Sequence, residues 1–148
     1  MFVLRLKKKR FIICIAAVLL VITAVIFLAN ADLTPVADFT EINSESYSLK
    51  AKNNAERLSF FQQAGINVTN ETADDVFIPQ NFNSVYNEYN ELQKKCGFDL
   101  SKYAGKAVKR YTYSIDNGKV AVILVYKNRV IGGHIASGIY GEEYLPLF

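Results

Sequence analysis

Hydrophobic residues form one uninterrupted run near the start of the chain, residues 11–29, in which Thr23 is the only polar side chain. As an α-helix this run rises roughly 28 Å, about the hydrocarbon thickness of a bilayer. Five basic residues lie within the first ten positions, and no acidic residue occurs before Asp32. The pattern predicts a cytoplasmic basic segment at residues 1–10 and a single transmembrane helix at 11–29. The positive-inside rule places everything after the helix outside the cytoplasm.

The same N-terminal region has a second interpretation. Ala29-Asn30-Ala31 fits the small-x-small cleavage pattern of a signal peptide, and cleavage there would leave a mature chain that begins at Asp32. Against this, the apolar run is longer than the roughly 7–15 residues expected of a signal-peptide core. Length therefore favours a signal anchor that stays attached to the cell membrane.

Polar and apolar residues alternate without a stable period over residues 30–52, which predicts a stalk or linker with little fixed structure. Residues 53–148 then show the patterns of one extracytoplasmic domain. A first helix is predicted from an Asn53 or Asn54 N-cap to Ala64, with Gly65 ending it.

A second helix is predicted over about residues 83–96, ending at Gly97. Its apolar positions fall within an arc of about 120° at 100° per residue. They are Phe82, Val85, Tyr86, Tyr89, Leu92 and Cys96. The remaining positions, Asn90 among them, are assigned to the solvent-exposed side.

Strand patterns occupy the rest of the domain. Residues 66–68 and 76–78 are short strand candidates around a polar loop. Residues 109–115, 120–126 and 129–136 predict a three-stranded meander with turns at 116–118 and 127–128. The middle strand is apolar throughout, as expected when both faces are covered. The fold predicted is α+β, with two helices packed on one face of a small antiparallel sheet.

Charge narrows the classes of partner. The net charge is +3, but the first ten residues hold five of the 17 Lys and Arg, which leaves 12 against 14 Asp and Glu. The domain is therefore slightly acidic and has no basic footprint for nucleic acid.

Candidate catalytic chemistry is sparse. The single histidine, His134, excludes a multi-histidine zinc site. No Gly-rich phosphate loop and no Gly-x-Ser-x-Gly motif occurs. Cys14 lies in the apolar run and Cys96 on the apolar arc of the second helix, so the domain forms no internal disulfide and Cys96 is interpreted as a buried small hydrophobe. We predict no catalytic, cofactor-binding or metal site.

Four stretches carry a resemblance to a known family: Ile78-Pro79, residues 82–93 (FNSVYNEYNELQ), residues 97–106 (GFDLSKYAGK), and the hairpin of residues 124–133. Over about residues 53–137 the chain resembles an uncharacterised bacterial family known only as domain of unknown function 4830. Its members are short membrane-anchored proteins, so the resemblance implies a bacterial source and an extracytoplasmic domain. It implies no activity and no site residues. His134 stands where an acidic residue often follows the paired glycines of the family pattern, which argues against shared chemistry there.

Three classes of function fit these observations. The favoured one is a small membrane-anchored binding or sensing module at the bacterial cell surface, with a protein or cell-envelope partner. The alternatives are a structural or interaction subunit of a membrane complex and, least favoured, a secreted protein or enzyme released by signal-peptide cleavage.

A candidate contact surface lies at the last predicted strand and the aromatic tail. Paired glycines let another backbone approach, His134 next to them responds to mild acidity, and exposed aromatics favour contacts. The surface comprises Ile131, Gly132, Gly133, His134, Tyr140, Tyr144 and Phe148. The alternative is that the tail only covers the strand edge.

Overall fold

The computed structural model describes residues 8–115, 118–137, 139 and 143–148. The chain divides into two units, Met1–Leu33 and Thr34–Phe148. The first contains helix α1, Lys8–Ala29. Its stretch Ile12–Ala29 has a mean hydropathy of 3.2 and is long and apolar enough to cross a membrane, a property that anchors and signal sequences share.

The second unit is α+β, as predicted, and contains two antiparallel sheets. Strands β1 and β2 form a hairpin, and the larger sheet has the order β3-β4-β5-β6. The elements in chain order are β1 (Phe39–Ile42), β2 (Glu45–Ser48), α2 (Asn54–Gln63), β3 (Val68–Phe77), α3 (Ser84–Lys95), a 3-10 helix (Leu100–Tyr103), β4 (Ala107–Ile115), β5 (Val120–Tyr126) and β6 (Arg129–Ala136). The predicted meander β4-β5-β6 is therefore confirmed, with one further strand beside it.

Local signals fix most of these boundaries. The side chains of Asn53 and Asn83 accept hydrogen bonds from the backbone N–H groups three residues later, at 2.9 and 2.8 Å, and so cap α2 and α3. Lys127 and Asn128 both have positive φ, 47° and 62°, which suits the tight turn of the β5-β6 hairpin. Residues 1–7 of the predicted basic segment, Asp116 and Asn117 of the predicted turn, and Tyr140 lie outside the described residues.

The prediction of a stalk with little structure is wrong for residues 39–51. The β1-β2 hairpin lies there, and Leu49 and Ala51 after it are buried in the core. The backbone N–H of Ala51 donates to the carbonyl of Asn128, and that of Val130 donates to the carbonyl of Leu49. This segment thus pairs with the start of β6 through one isolated bridge, a long-range pairing that leaves no periodic signal in the sequence.

The two short strands predicted around a polar loop are one ten-residue strand, β3. It is an outer strand of the sheet, so most of its side chains are exposed and need no apolar alternation. Cross-strand ion pairs join its exposed side chains to β4: Asp74 pairs with Arg110 and Asp75 with Lys109.

The two helices pack against opposite faces of the larger sheet, which corrects the prediction that they share one. Phe60 and Phe61 of α2 lie in one core cluster with Tyr113 and Ile123, whereas Tyr86 and Tyr89 of α3 pack on another with Val108, Leu124 and Tyr126. Because consecutive strand residues point to opposite faces, these sets occupy the two sides of the sheet. The central strand β5 is buried on both sides, as its unbroken apolar sequence predicts.

Candidate functional site

A pocket of about 310 Å³ opens on the face of the sheet that α3 covers. The end of β3, helix α3 and Tyr144 of the tail form its walls, and β4, β5 and β6 form its floor. The lining residues are Val76, Phe77, Ile78, Val85, Tyr86, Tyr89, Arg110, Val122, Leu124, His134 and Tyr144. Among the described residues, this pocket is the candidate functional site, and we call it the aromatic pocket.

Strand register brings the floor residues together. Val122 on β5 pairs with His134 on β6, and Leu124 pairs with Arg110 on β4. All four side chains project to the same face, because paired residues share a face and residues two apart on one strand do as well. The floor is thus an apolar centre, Val122 and Leu124, with one cationic and one imidazole side chain at its corners.

His134 is buried among aromatic rings. Its Nδ1 atom lies 2.8 Å from the hydroxyl of Tyr89, and its ring centroid lies 4.2 Å from that of Tyr144. Burial, together with the nearby positive charge of Arg110, lowers the pKa of His134 to about 4. The imidazole is therefore neutral at mildly acidic pH, which corrects the expectation that its charge responds there.

Arg110 supplies the positive charge of the pocket. Its Nε and Nη2 atoms donate to the two carboxylate oxygens of Asp74 at 2.9 and 2.5 Å. This bidentate pair holds the pKa of the Asp74 carboxyl below its usual range. It also fixes the direction of the guanidinium, which is about half exposed.

A row of aromatic side chains on α3 forms one wall. Tyr86 lies edge-to-face with Phe82 at 4.6 Å and with Tyr89 at 5.6 Å between ring centroids. Burial raises the pKa of Tyr89, so its hydroxyl keeps its proton. At the rim, Val85 and Phe77 leave 71% and 75% of their surface exposed. Such exposed apolar side chains beside a pocket are typical of a binding site.

A family model named Domain of unknown function (DUF4830) matches residues 60–135, just over half of the chain. The chain belongs to this family. No curated protein and no solved structure gives a significant match. The matched range of the DUF4830 domain includes every lining residue of the aromatic pocket except Tyr144.

Three residues of the candidate contact surface lie in the interior of this DUF4830 domain: Ile131, Gly132 and Gly133. Internal groups, not a partner backbone, occupy the space above the glycines. A Cβ on Gly132 would lie 2.8 Å from Gln93 Oε1, and one on Gly133 would lie 2.6 Å from Leu147 Cδ1. The predicted irregularity is present, because a β-bulge shifts the register beside these glycines.

The other residues of that surface separate into two groups. His134 and Tyr144 contact each other and line the aromatic pocket. Phe148 instead packs against Tyr47 and Phe60, at 4.4 and 5.9 Å between ring centroids, on the other side of the sheet. The tail around them also pairs with the sheet edge, since Leu145 and Ile135 exchange two backbone hydrogen bonds of 2.9 Å.

Sequence reasoning missed several residues of the pocket, above all Tyr89, Arg110 and Val122. Tyr89 lies on the apolar arc predicted for the second helix, and that arc lines the pocket as well as packing on the sheet. Arg110 is a polar residue of the strand predicted at 109–115 and carries no signal of its own. Cys96 is fully buried, as predicted. Among the described residues, no group of three or more His, Cys, Asp or Glu could hold a metal ion.

Proposed function

We propose that the protein is a membrane-anchored binding module of the bacterial cell surface, whose extracytoplasmic domain holds a small, largely apolar ligand in the aromatic pocket. The observation that carries the proposal is the pocket itself. It joins apolar walls to a few fixed polar groups, the composition typical of small-molecule sites.

The size and shape of the pocket support a small ligand. Its volume of about 310 Å³ lies at the lower end of the range for ligand sites, roughly 300–1,000 Å³. Tyr89 and His134 hold each other in place through their hydrogen bond, so the site is formed before a ligand arrives. A preformed site loses little conformational entropy on binding.

The N-terminal segment supports the location. The helix α1 carries an apolar stretch of sufficient length, and five basic residues precede its apolar core while acids are absent from that side. We expect a reporter enzyme that works only outside the cytoplasm to be active when fused to the C-terminus. A C-terminal reporter active only in the cytoplasm would contradict this orientation.

The binding proposal is tested with the full-length protein in nanodiscs of neutral lipid, purified without a histidine tag. Because the chain has one histidine, carbon-13 labelling of histidine at Cε1 gives a single signal that reports from the pocket. We expect phenylpropionamide, a small neutral aromatic compound, to shift this signal in a saturable way.

Two matched variants of α3 separate binding in the pocket from binding elsewhere. Val85→Trp places an indole at the exposed rim of the pocket and should abolish the saturable shift. Asn87→Trp adds the same group two residues along the helix, at an exposed position that does not line the pocket, and should leave the shift intact. Equal binding of phenylpropionamide by both variants would overturn the proposal. The absence of a saturable shift in the wild type with phenylpropionamide, phenylpropionate and phenylpropylamine would overturn it as well.

A further inference from the structure

We infer that the polar group of the ligand is a carboxylate, bound between the guanidinium of Arg110 and the Nε2–H of His134. The inference rests on the proposed function and specifies its ligand as a small apolar or aromatic monocarboxylate. It concerns two side chains that project from the same face of the sheet, across the apolar floor.

The charge of the pocket decides between two ligand classes that aromatic walls accept. Rings of tyrosine can enclose a cation, as in sites for quaternary ammonium groups. Here the only charged residue that lines the described pocket is Arg110, and its positive field reaches His134. No carboxylate among the lining residues offers a counterion for a cation, whereas the guanidinium of Arg110 offers hydrogen-bond donors for an anion.

The tautomer of His134 supplies the second donor. Tyr89 keeps its hydroxyl proton because burial raises its pKa, so the hydroxyl can donate to Nδ1 of the neutral ring. A neutral imidazole that accepts at Nδ1 carries its proton on Nε2. When the Tyr89 hydroxyl donates in this way, Tyr89 is a positioning residue, because it leaves Nε2 as the donor for the carboxylate.

The ion pair of Arg110 limits the charge of the ligand. Asp74 accepts from Nε and Nη2, and among the described residues no further acceptor engages Nη1. Asp74 balances the charge of the guanidinium and orients it, so the remaining Nη1 donors suit one negative charge better than the two of a phosphate monoester. A planar carboxylate also matches the geometry of a guanidinium.

The test compares three probes of the same shape on the full-length protein: phenylpropionate, phenylpropionamide and phenylpropylamine. The histidine carbon-13 signal measures each dissociation constant at pH 7. We expect phenylpropionate to bind at least about tenfold more tightly than the amide, a difference of about 1.4 kcal/mol, since a hydrogen bond to a charged acceptor is stronger than one to a neutral acceptor. Phenylpropylamine should bind most weakly.

Variants of the β3-β4 ion pairs show whether Arg110 causes the preference for phenylpropionate over the amide. Arg110→Gln should remove the preference for phenylpropionate and keep the affinity for the amide. Lys109→Gln is its matched control, because Lys109 forms the same kind of pair with Asp75 and does not line the pocket. Asp74→Asn frees the guanidinium and should tighten phenylpropionate binding, so a gain of affinity guards against a variant that fails to fold.

The role of Tyr89 has its own readout. Nitrogen-15 shifts of His134 should show the proton on Nε2 in the wild type, and Tyr89→Phe should give a mixture of tautomers with weaker phenylpropionate binding. Binding of phenylpropionate no tighter than the amide would overturn the carboxylate inference and leave the proposed function standing. Saturable binding of none of the three probes would overturn the proposed function as well.

Discussion

The side chain of Gln93 reaches from α3 to the backbone of β6, where its Oε1 accepts a hydrogen bond of 2.7 Å from the N–H of Gly133. The contact is buried, and Gln93 itself is fully buried. It lies beside the β-bulge, where the ladder between β5 and β6 shifts register. Gln93 therefore serves as a substitute partner where the strand ladder is interrupted, and it fixes α3 above the pocket floor.

We expect Gln93→Leu to lower the free energy of unfolding by about 1–3 kcal/mol, because it leaves the buried N–H of Gly133 without an acceptor. Chemical denaturation measures the change. Gln62→Leu on α2 is the control, since Gln62 is exposed and should shift stability by less than about 0.5 kcal/mol. Equal effects of the two variants would show that the buried hydrogen bond contributes little.

Arg57 holds α2 to the outer strand β3. Its guanidinium donates to both carboxylate oxygens of Glu71, lies 3.9 Å from the ring centroid of Tyr111 and is buried. The hydroxyl of Tyr113 joins the same network through a short hydrogen bond to Glu71. A structural ion pair of this kind explains why a charged residue is tolerated in the core.

We expect Arg57→Met to destabilise the protein by about 3 kcal/mol, because it leaves the Glu71 carboxylate partly buried without its counterion. Lys109→Gln breaks the exposed pair with Asp75 and should lower stability far less, because solvent screens a surface ion pair. The two midpoints of denaturation can be compared directly. An Arg57→Met protein as stable as Lys109→Gln would mean that the network is not a structural anchor.

The sequence predicted elements whose signals are local. The Asn53 cap, the glycines that end α2 and α3, and the apolar strand patterns of β4 to β6 all depend on neighbouring residues, and those elements lie where expected. β3 pairs with β4 far along the chain, and residues 49–51 after the β1-β2 hairpin pair with the start of β6, so the predicted polar loop and stalk were wrong there. Tertiary pairing overrides local pattern in both cases.

Buried polar residues caused the remaining errors at the site. The periodicity of the helix predicts an exposed Asn90, yet this residue is buried, and its Oδ1 accepts from the N–H of Leu100 while its Nδ2 donates to Asp99. The same apolar arc includes Val85, which is exposed at the pocket rim. A hydrophobic arc identifies the average face of a helix but cannot show which polar side chains meet a partner inside.

The boundary of the second unit gives a prediction about fragments. A soluble fragment of residues 34–148 should unfold cooperatively, because it retains the hairpin and the buried Leu49 and Ala51. A fragment of residues 53–148 lacks these core side chains and the backbone pairing to the start of β6, so its melting temperature should be lower by at least several degrees. Circular dichroism on both fragments measures the difference. Equal melting temperatures would restore the original assignment of residues 30–52 as a linker.

The pKa of His134 gives a prediction about pH. The unfolded chain binds a proton on this histidine below about pH 6.5, whereas the folded protein does so only near 4. The groups that face the ring are Tyr89 from α3, Arg110 from β4 and Tyr144 from the tail. Between these two pKa values the unfolded state holds more protons, so stability falls as pH falls, by up to about 1.4 kcal/mol per pH unit.

The comparison with His134→Gln isolates this contribution from other titrating groups. From pH 6.5 to 5 the wild type should lose about 1–2 kcal/mol more than the variant. The carbon-13 signal of the single histidine should not titrate above about pH 5. A midpoint near 6.5 would show that the ring is hydrated and that the pocket is more open than described.

The last prediction distinguishes a tail that completes the core from one that serves only as a contact surface. Leu147 is buried in the α2-side cluster, and its backbone N–H donates to the sulfur of Cys96 at 3.3 Å. Leu145, two residues earlier, leaves 45% of its surface exposed. Leu147→Ala should therefore lower the free energy of unfolding by about 2–4 kcal/mol, the range for a buried Leu→Ala change, whereas Leu145→Ala should cost less than about 1 kcal/mol.

The Leu147→Ala protein should also make Cys96 accessible to a thiol reagent that leaves the wild type unlabelled, because the chain above the sulfur loosens. If Leu147→Ala leaves both stability and thiol protection unchanged, the tail does not cover the core, and the packing of Leu147 against the sheet contributes nothing to the fold.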